Sequence, residues 1–379
     1  MSIDLHNSDI RNETQPIRRD PLFDAVKALM MLWVVWGHLG LYGIVGGGAS
    51  HWMANAKIGV NMPVFFMIGG YLAHSTFQKG TWAKISSRVI GFLWPMAAFG
   101  AVFGFMLFVT GHGESIGWFL RFPLHRVLHG HWFLRTFAAV YLLSAIVYRG
   151  CRSDRLRWVV FMVVYAALLS CPGRFQPCLF WVGGRQTIHM LPYFVFGLLA
   201  LNRQNLWRSS RLSLLCGAFF LSVVFLEGNS STNGMNFWNV STHWRTVFLD
   251  PHGLLCFFAR TAVGLAGSIF ILWAMEQALR RIPSLSRIAV FGTTSLGVYV
   301  LHEWPMMQFG RIGISWLPMH AWTRWLVAIS WFLACHFAIV GIRRMPVLCL
   351  FFFGNEKRLT SFFQRLGRPS SLVRQTSRQ

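Results

Sequence analysis

Long apolar segments alternate with short polar ones along almost the whole chain. A membrane-spanning helix needs about 20 mainly apolar residues, and charged residues inside such a segment are rare. The pattern therefore predicts an all-α, polytopic membrane helix bundle with about ten transmembrane helices. The predicted spans cover residues 24–46, 57–77, 88–110, 132–149, 157–171, 187–201, 211–227, 254–275, 288–309 and 322–342.

The composition excludes the common soluble classes. Hydrophobic residues make up 54% of the 379 residues and charged residues only 12%, whereas soluble domains carry roughly 25% charged residues. The net charge of +23 raises the possibility of nucleic-acid binding. However, the basic residues lie between apolar segments, and no zinc-ligand spacing or aromatic-interleaved basic motif accompanies them. We therefore predict no nucleic-acid partner.

The distribution of basic residues predicts the orientation in the membrane. If the N-terminus is cytoplasmic, 24 of the 35 lysines and arginines fall in cytoplasmic segments, eight in outside loops and three within spans. Cytoplasmic loops of membrane proteins carry such an excess. The predicted organisation is a cytoplasmic N-terminal tail over residues 1–22, a transmembrane domain over 23–354, and a basic cytoplasmic tail over 355–379 that contacts membrane lipids.

The seven cysteines indicate neither a metal site nor a disulfide framework. Most lie inside apolar segments, and no CxxC pair occurs among them. Cys171 and Cys178 flank a short loop, where they could pair on an oxidising side of the membrane or remain separate buried thiols. Both alternatives are open, and we predict no metal.

The first apolar segment carries a polar stripe that ends in a histidine. Asp24, Lys27, Met31 and His38 share one face of a helix, because the 14 residues from Asp24 to His38 are close to four turns. A polar stripe on an apolar helix indicates a face directed at the interior of the protein. The alternative is that His38 is an ordinary core histidine with its hydrogen bonds satisfied.

The predicted orientation converts sequence positions into depths. His38 lies about 21 Å from the cytoplasmic end of its span, and His302 lies equally far into the ninth span, at 1.5 Å per residue. Arg135 and Arg260 belong to spans that begin at the outer face, and they lie roughly 4 Å and 9 Å below that face. With Glu303, these residues can share one cavity in the outer half of the membrane. Alternatively, the arginines fasten helices by pairing with acidic residues.

These positions suggest acyl transfer. A hydroxyl group becomes a good nucleophile when a base such as a histidine accepts its proton, and His38 could act in this way. A basic rim at the cytoplasmic end is suited to the phosphates of a nucleotide-bearing donor such as coenzyme A. The residues predicted to bind this donor are Arg18, Arg19, Lys27, Lys84 and Arg88.

Five motifs, in order along residues 18–354, resemble those of the membrane-bound acyltransferase-3 family. They are Arg19-Asp20 to Asp24 leading into Gly37-His38, the stretch from Asn61 to Leu72, His131-Trp132-Phe133-Leu134-Arg135, Leu191 to Gly197, and Thr294 to His302. The resemblance implies a ten-helix O-acyltransferase that takes an acyl group from cytoplasmic acyl-CoA and places it on an extracytoplasmic glycan.

The resemblance also suggests roles for single residues. The family's first-helix histidine matches His38, and its basic pair before the third helix matches Lys84 and Arg88. The family's usual serine is replaced by Gly69, so any hydroxyl role there is absent. The predicted catalytic residues are His38, His302 and Glu303, and the predicted substrate-binding residues are Asp24, Trp132, Arg135, Arg260 and Tyr299.

The leading hypothesis is an O-acetyltransferase of the bacterial cytoplasmic (inner) membrane. It would move an acetyl group from acetyl-CoA to a hydroxyl of a polysaccharide or glycolipid, with no permanently bound cofactor. An alternative is an O-succinyltransferase acting on a periplasmic glucan with succinyl-CoA, since the segment from Arg343 to Gly354 is similar to such enzymes and Arg135 or Arg260 could hold the extra carboxylate. A membrane transporter and a catalytically silent scaffold are alternatives from other classes.

Overall fold

The computed structural model describes residues 20–42, 44–46, 51–110, 116–129, 132–169, 185–202, 206–229, 251–311, 317–318 and 321–354. This part of the chain is almost entirely helical. The α-helices are α1 (Pro21–Leu41), α2 (His51–Lys79), α3 (Trp82–Val109), α4 (Ile116–His129), α5 (Trp132–Gly150), α6 (Asp154–Leu169), α7 (Arg185–Phe196), α8 (Ser210–Asn229), α9 (Pro251–Arg281), α10 (Ala289–Gly292), α11 (Ser295–Arg311), α12 (Ala321–Arg344) and α13 (Pro346–Phe353).

In each of the ten predicted apolar segments, nearly all of the described residues are helical, so the predicted all-α polytopic bundle is confirmed. Of the described helices, α1, α3, α5, α9 and α12 are long and apolar enough to cross a membrane. A sixth span results if the pair Pro283–Gly292 and Ser295–Phe309 is counted as one broken helix. The count of ten spans therefore stays a prediction, as does the division into two tails and one domain.

The start of α1 is fixed by its local sequence. Asp20 caps the helix, because its carboxylate accepts a hydrogen bond of 2.9 Å from the backbone N–H of Leu22. Pro21 follows at the first helical position, where a missing N–H costs nothing. The helix then runs without interruption to Leu41, so it carries His38 close to its far end.

Two motif glycines allow α2 and α7 to cross at very short distance. A Cβ atom on Gly70 would lie 1.9 Å from the carbonyl oxygen of Phe194, and one on Gly197 would lie 2.0 Å from that of Met67. Only glycine fits at either position. A π-helical turn over Gly197–Leu201 follows, and Asn202 fastens it by donating to the carbonyl of Tyr71 at 3.0 Å.

A break separates α10 from α11, with a bend of 62° between the two helical segments. At the break, the carbonyl of Thr293 accepts a 2.9 Å hydrogen bond from the Arg343 guanidinium. A break in a helix leaves backbone polar groups without their helical partners, and buried groups of this kind need other hydrogen bonds. Gly292 lies against α1 so closely that a Cβ atom would be 1.8 Å from the carbonyl oxygen of Asp24.

Two of the described α-helices were not predicted. The segment between the third and fourth spans forms α4, so Arg121 lies in a helix rather than in a loop. Phe122 of this helix fills the space above Gly104 of α3, where a Cβ atom would be 2.8 Å from its ring. After α12 the chain forms α13, whose Phe351 carbonyl accepts a 2.7 Å hydrogen bond from the indole of Trp94.

The arrangement around α1 determines where the candidate site lies. Phe23 packs on Tyr71 of α2, His38 and Tyr42 contact α11, and Trp36 stacks on Trp325 of α12. Beyond the helix end, Val45 pairs with Leu317 in a parallel bridge of two residues on each strand, β1 (Val45–Gly46) and β2 (Leu317–Pro318). This bridge joins the segments that follow α1 and α11.

Candidate active site

His38 and His302 form a hydrogen-bonded pair in the interior of the bundle. The Nδ1 atom of His38, on α1, lies 2.7 Å from the Nε2 atom of His302, on α11. His302 is fully buried, and its own Nδ1 atom lies 2.9 Å from the carbonyl oxygen of Val298 one turn earlier. The counting of depths placed the two histidines at a similar level, and the structure places them in contact.

The hydrogen bonds determine which nitrogen atoms carry protons when both rings are neutral. A carbonyl oxygen can only accept, so the Nδ1 atom of His302 carries its proton and donates to Val298. The Nε2 atom of His302 then accepts from the Nδ1–H group of His38. This leaves the Nε2 atom of His38 without a proton, which is the form that a general base requires.

A second hydrogen bond links the same two helices. The hydroxyl group of Tyr42 donates to the Oε1 atom of Glu303 over 2.6 Å. Tyr42 directly follows the last residue of α1, four residues after His38, and Glu303 directly follows His302. The two hydrogen bonds therefore lie next to each other between the end of α1 and α11. Glu303 was predicted from sequence, but Tyr42 was not, because it lies at the helix end where an aromatic residue is common.

Aromatic rings line the pair on the α5 side. Tyr299 is 3% exposed, and its ring centroid lies 5.8 Å from that of His302 and 5.0 Å from that of Phe133. Trp132, which was predicted to bind substrate, directly precedes Phe133 at the start of α5 and packs edge-on against it. Of the two predicted residues, Tyr299 therefore lines the site, and Trp132 lies beside it.

Asn61 is a polar residue of this region that sequence reasoning did not select. It is 1% exposed, and neither its Oδ1 nor its Nδ2 atom has a hydrogen-bond partner among the described residues. It lies one turn before Phe65, whose ring packs on Phe133. The asparagine opens the second of the five motifs, which was the signal that could have identified it.

The residues predicted at the cytoplasmic end are not in contact with the histidine pair. Asp24 and Lys27 form an ion pair with each other on the first turns of α1. Lys84 and Arg88 are exposed on the first turns of α3, where Thr81 caps the helix by accepting from the backbone N–H of Lys84 at 3.2 Å. Arg18 and Arg19 lie outside the described residues.

The predicted outer-half arginines lie on separate helices. Arg135 is partly buried on α5, three residues after Trp132. Arg260 is partly buried on α9, and its backbone carbonyl lies 3.4 Å from the hydroxyl of Tyr193 on α7. Neither residue contacts the His38–His302 pair through an observed hydrogen bond or ion pair.

Arg324 corrects the predicted loop assignment. It was one of the eight basic residues counted in outside loops, although it falls at the start of the predicted span 322–342; it lies in α12 and is only 7% exposed. Its guanidinium lies 4.2 Å from the centre of the Trp36 ring and donates to the Trp36 carbonyl at 3.3 Å. Gly40 leaves the necessary space, since a Cβ atom there would overlap the guanidinium. Trp36 projects from the opposite side of α1 to His38, so Arg324 is not part of the histidine site.

The acyltransferase-3 family model, described as an acyltransferase domain, matches residues 21–342. The chain belongs to the acyltransferase-3 family. No curated protein and no solved structure matches it. The matched region runs from α1 to α12 and includes both histidines. Together with the apolar helices, the family establishes that this is a multi-pass membrane acyltransferase.

The structure explains Gly69, the position at which the resemblance led us to expect a serine. A Cβ atom on Gly69 of this acyltransferase would lie 2.3 Å from the ring of Phe137 on α5. Phe137 therefore occupies the space that a serine side chain would need. The ring also packs on Phe66 and Phe133. Glycine at position 69 therefore leaves room for this aromatic cluster.

Within the described part of this acyltransferase, no group of three histidine, cysteine, aspartate or glutamate residues is placed to hold a metal ion. Cys171 and Cys178, whose pairing was left open, lie outside the described residues. The described cysteines Cys151, Cys216, Cys335 and Cys349 are free thiols.

Proposed function

We propose that this acyltransferase transfers an acetyl group from cytoplasmic acetyl-CoA to a hydroxyl group of an extracytoplasmic polysaccharide or glycolipid, in the cytoplasmic (inner) membrane of a bacterium. The observation that carries the proposal is the pairing of His38 with His302 at 2.7 Å, inside a bundle of acyltransferase-3 family helices. The pair supplies a base whose proton-accepting nitrogen is set by a chain of hydrogen bonds.

In the proposed reaction, the Nε2 atom of His38 takes the proton of the acceptor hydroxyl as its oxygen attacks the thioester carbonyl carbon. The bond from that carbon to the acceptor oxygen forms, and the bond to sulfur breaks. The coenzyme A thiolate leaves and takes the proton from the His38 imidazolium. His302 accepts from the Nδ1–H group of His38 throughout, and this hydrogen bond strengthens when the ring becomes charged.

The position of His38 supports access from both faces of the membrane. It lies three residues before the end of α1, which is the outer end under the proposed orientation, so a glycan can approach from outside. Lys27, Lys84 and Arg88 lie toward the cytoplasmic ends of their helices and could bind the donor phosphates. The long pantetheine arm of the donor would then extend inward toward His38.

The proposed orientation can be tested with reporter fusions. Because cytoplasmic segments hold most of the basic residues, reporters near Arg152 and Arg281 should be cytoplasmic, and those near Arg121 and Asn233 should be outside. A reporter on the opposite face at any of these positions would require the spans to be redrawn and would remove the cytoplasmic donor site.

The function itself can be tested by mass spectrometry of surface polysaccharide and glycolipid. Cells with the wild-type protein should carry acetyl groups that are absent with His38→Ala, because loss of a general base costs roughly 10²–10⁴-fold in rate. His336→Ala is the matched control, since His336 is also buried and hydrogen-bonded, to Thr294 at 2.7 Å. A mass shift of a succinyl group would identify succinyl-CoA as the donor instead of acetyl-CoA. If the wild type and His38→Ala carried the same acyl groups, the proposal would be contradicted.

Transport is the competing function from another class. Transporter sites are commonly built from two broken helices in corresponding positions of an inverted repeat. In the described part of the chain, one pair of helical segments is broken, at the α10–α11 junction. Arg343 of α12 donates to the Thr293 carbonyl at this break and thereby links the break to α12. These observations favour an enzyme.

A further inference from the structure

The side chain of Asn61 has an unusual environment for a buried amide. It is 1% exposed, and neither the oxygen nor the nitrogen of its carboxamide has a hydrogen-bond partner among the described residues. Burying such a group without partners is unfavourable, and most buried polar groups in proteins are hydrogen-bonded. An apolar residue of the same size would fit the packing better, so the amide points to a bound group with which it pairs.

The direction of Asn61 follows from the contacts of α2. Phe65 contacts Phe133 of α5, and Tyr71 contacts Phe23 of α1. At about 100° per residue, Asn61 projects between these two directions. It therefore faces the space between α1 and α5, which Tyr299 of α11 closes through its contact with Phe133.

The His38–His302 pair faces the same space. His38 shares a face of α1 with Lys27 and Met31, whereas the contact of α1 with α12 is on the opposite face, at Trp36. His302 contacts His38 from one side and the ring of Tyr299 from another. The helix directions therefore aim Asn61 and the histidine pair at the same region, between α1, α2, α5 and α11.

The relative depth places Asn61 on the donor side of His38. The Phe23 and Tyr71 ring centroids lie 4.8 Å apart and mark a common level of the antiparallel helices α1 and α2. At 1.5 Å per residue, His38 lies roughly 22 Å beyond this level and Asn61 roughly 15 Å beyond it. Asn61 is thus about 7 Å, or slightly more than one turn, closer to the cytoplasmic ends of the helices.

We propose that the Asn61 carboxamide binds the thioester of the acyl donor and stabilises the negative charge that develops on its carbonyl oxygen. This inference rests on the proposed function. An acyl thioester that reaches His38 from the cytoplasm must pass the level of Asn61, and its carbonyl oxygen can accept from the Asn61 Nδ2–H group. The pantetheine arm also carries an amide N–H group near its sulfur. The Asn61 Oδ1 atom can accept a hydrogen bond from this group.

The role in the reaction is electrostatic. When the acceptor oxygen attacks, the carbonyl bond opens and its electron pair moves to the oxygen. The Nδ2–H group donates more strongly to this negatively charged oxygen than to the neutral carbonyl. When the bond to sulfur breaks, the electron pair on the oxygen re-forms the carbonyl double bond. A neutral amide suits this position, because a permanently charged donor would be costly to bury while the site is empty.

The test compares Asn61→Leu and Asn61→Asp with the wild type, each purified in lipid nanodiscs and supplied with acetyl-CoA and the acceptor glycan fraction. Both variants keep the size of the side chain and remove the N–H donors. We expect kcat to fall by about 10²–10³-fold in each, which is the usual effect of removing one such donor. The melting temperature of Asn61→Leu should equal or exceed that of the wild type, because no buried hydrogen bond is lost.

Ser144→Ala is the matched control. Ser144 is fully buried, and its hydroxyl likewise has no partner among the described residues, but it lies further along α5, eleven residues beyond Phe133. Its removal should change kcat by less than threefold.

Three results would overturn the inference. If Asn61→Leu transfers acetyl groups within threefold of the wild-type kcat, Asn61 does not stabilise the reaction. If Asn61→Leu melts well below the wild type and Ser144→Ala loses activity equally, Asn61 is a packing residue. If the wild-type protein itself transfers no acyl group from acetyl-CoA, the proposed function fails and this inference with it. An active wild type therefore separates the failure of Asn61 from that of the function.

Discussion

Replacing His302 tests the central hydrogen bond of the site. In His302→Leu, the Nδ1–H group of His38 loses the acceptor that lies 2.7 Å away. A hydrogen bond to a charged group is worth about 1.5–3 kcal/mol, and the full charge on His38 exists only after it has taken the acceptor proton. The barrier should therefore rise by about this amount.

The expected effect on rate follows from that free energy. At 1.36 kcal/mol for each factor of ten, a rise of about 1.5–3 kcal/mol lowers kcat by about 10- to 150-fold. His302→Gln should lose less than His302→Leu, because the amide oxygen of glutamine can still accept from His38. Both should remain more active than His38→Ala, which lacks the base itself.

The assay is acetyl transfer by purified protein in nanodiscs at saturating acetyl-CoA. His336→Leu is the control, because it removes another buried histidine with a 2.7 Å hydrogen bond, to Thr294 near the α10–α11 break. It should reduce the melting temperature with little effect on kcat. An unchanged kcat in His302→Leu, or an equal loss in the leucine and glutamine variants, would refute the argument from the hydrogen bond.

Further predictions concern residues around this pair and at the cytoplasmic end. Tyr42→Phe and Glu303→Gln should each lower kcat, and the double variant should lose no more than the larger single effect, because the two side chains share one 2.6 Å hydrogen bond; additive losses would contradict this. Arg88→Ala should weaken acetyl-CoA binding in a radioligand assay more than Lys84→Ala, since only arginine contacts phosphate with two parallel N–H groups; unchanged binding would leave lipid anchoring as its role. Gly70→Ala should reduce the melting temperature strongly, because its Cβ atom would lie 1.9 Å from a backbone oxygen, and a stable variant would show that the crossing can open.

The helices themselves could be predicted well from the sequence. Apolar segments of the required length stand out from their polar boundaries, and nearly all of their described residues are helical. The similar depth of His38 and His302 followed from counting residues along the first and ninth segments. Depth along a helix depends only on the number of residues, which the sequence gives directly. The structure added which faces of those helices meet.

The remaining features depended on contacts that a single segment does not reveal. Arg324 was assigned to a loop because a charged residue at the start of an apolar segment resembles a boundary, whereas Gly40 and Trp36 on another helix provide its position. Tyr42 gained significance only through Glu303. The break between α10 and α11 was hidden because the apolar pattern continues across Thr293 and Thr294.

The short bridge between Val45 and Leu317 has a consequence for how far α1 and α11 can slide past each other. A shift of two residues along a helix is about 3 Å. Because the 2.7 Å contact runs across the helices, such a shift would lengthen it to about 4 Å, beyond the range of a useful hydrogen bond. The bridge ties the chain just beyond α1 to the chain just beyond α11, and it uses backbone groups, which do not change with side-chain ionisation. The pairing is therefore independent of the charge that the histidines carry during a reaction cycle, and it opposes a longitudinal shift of the two chain segments that it joins.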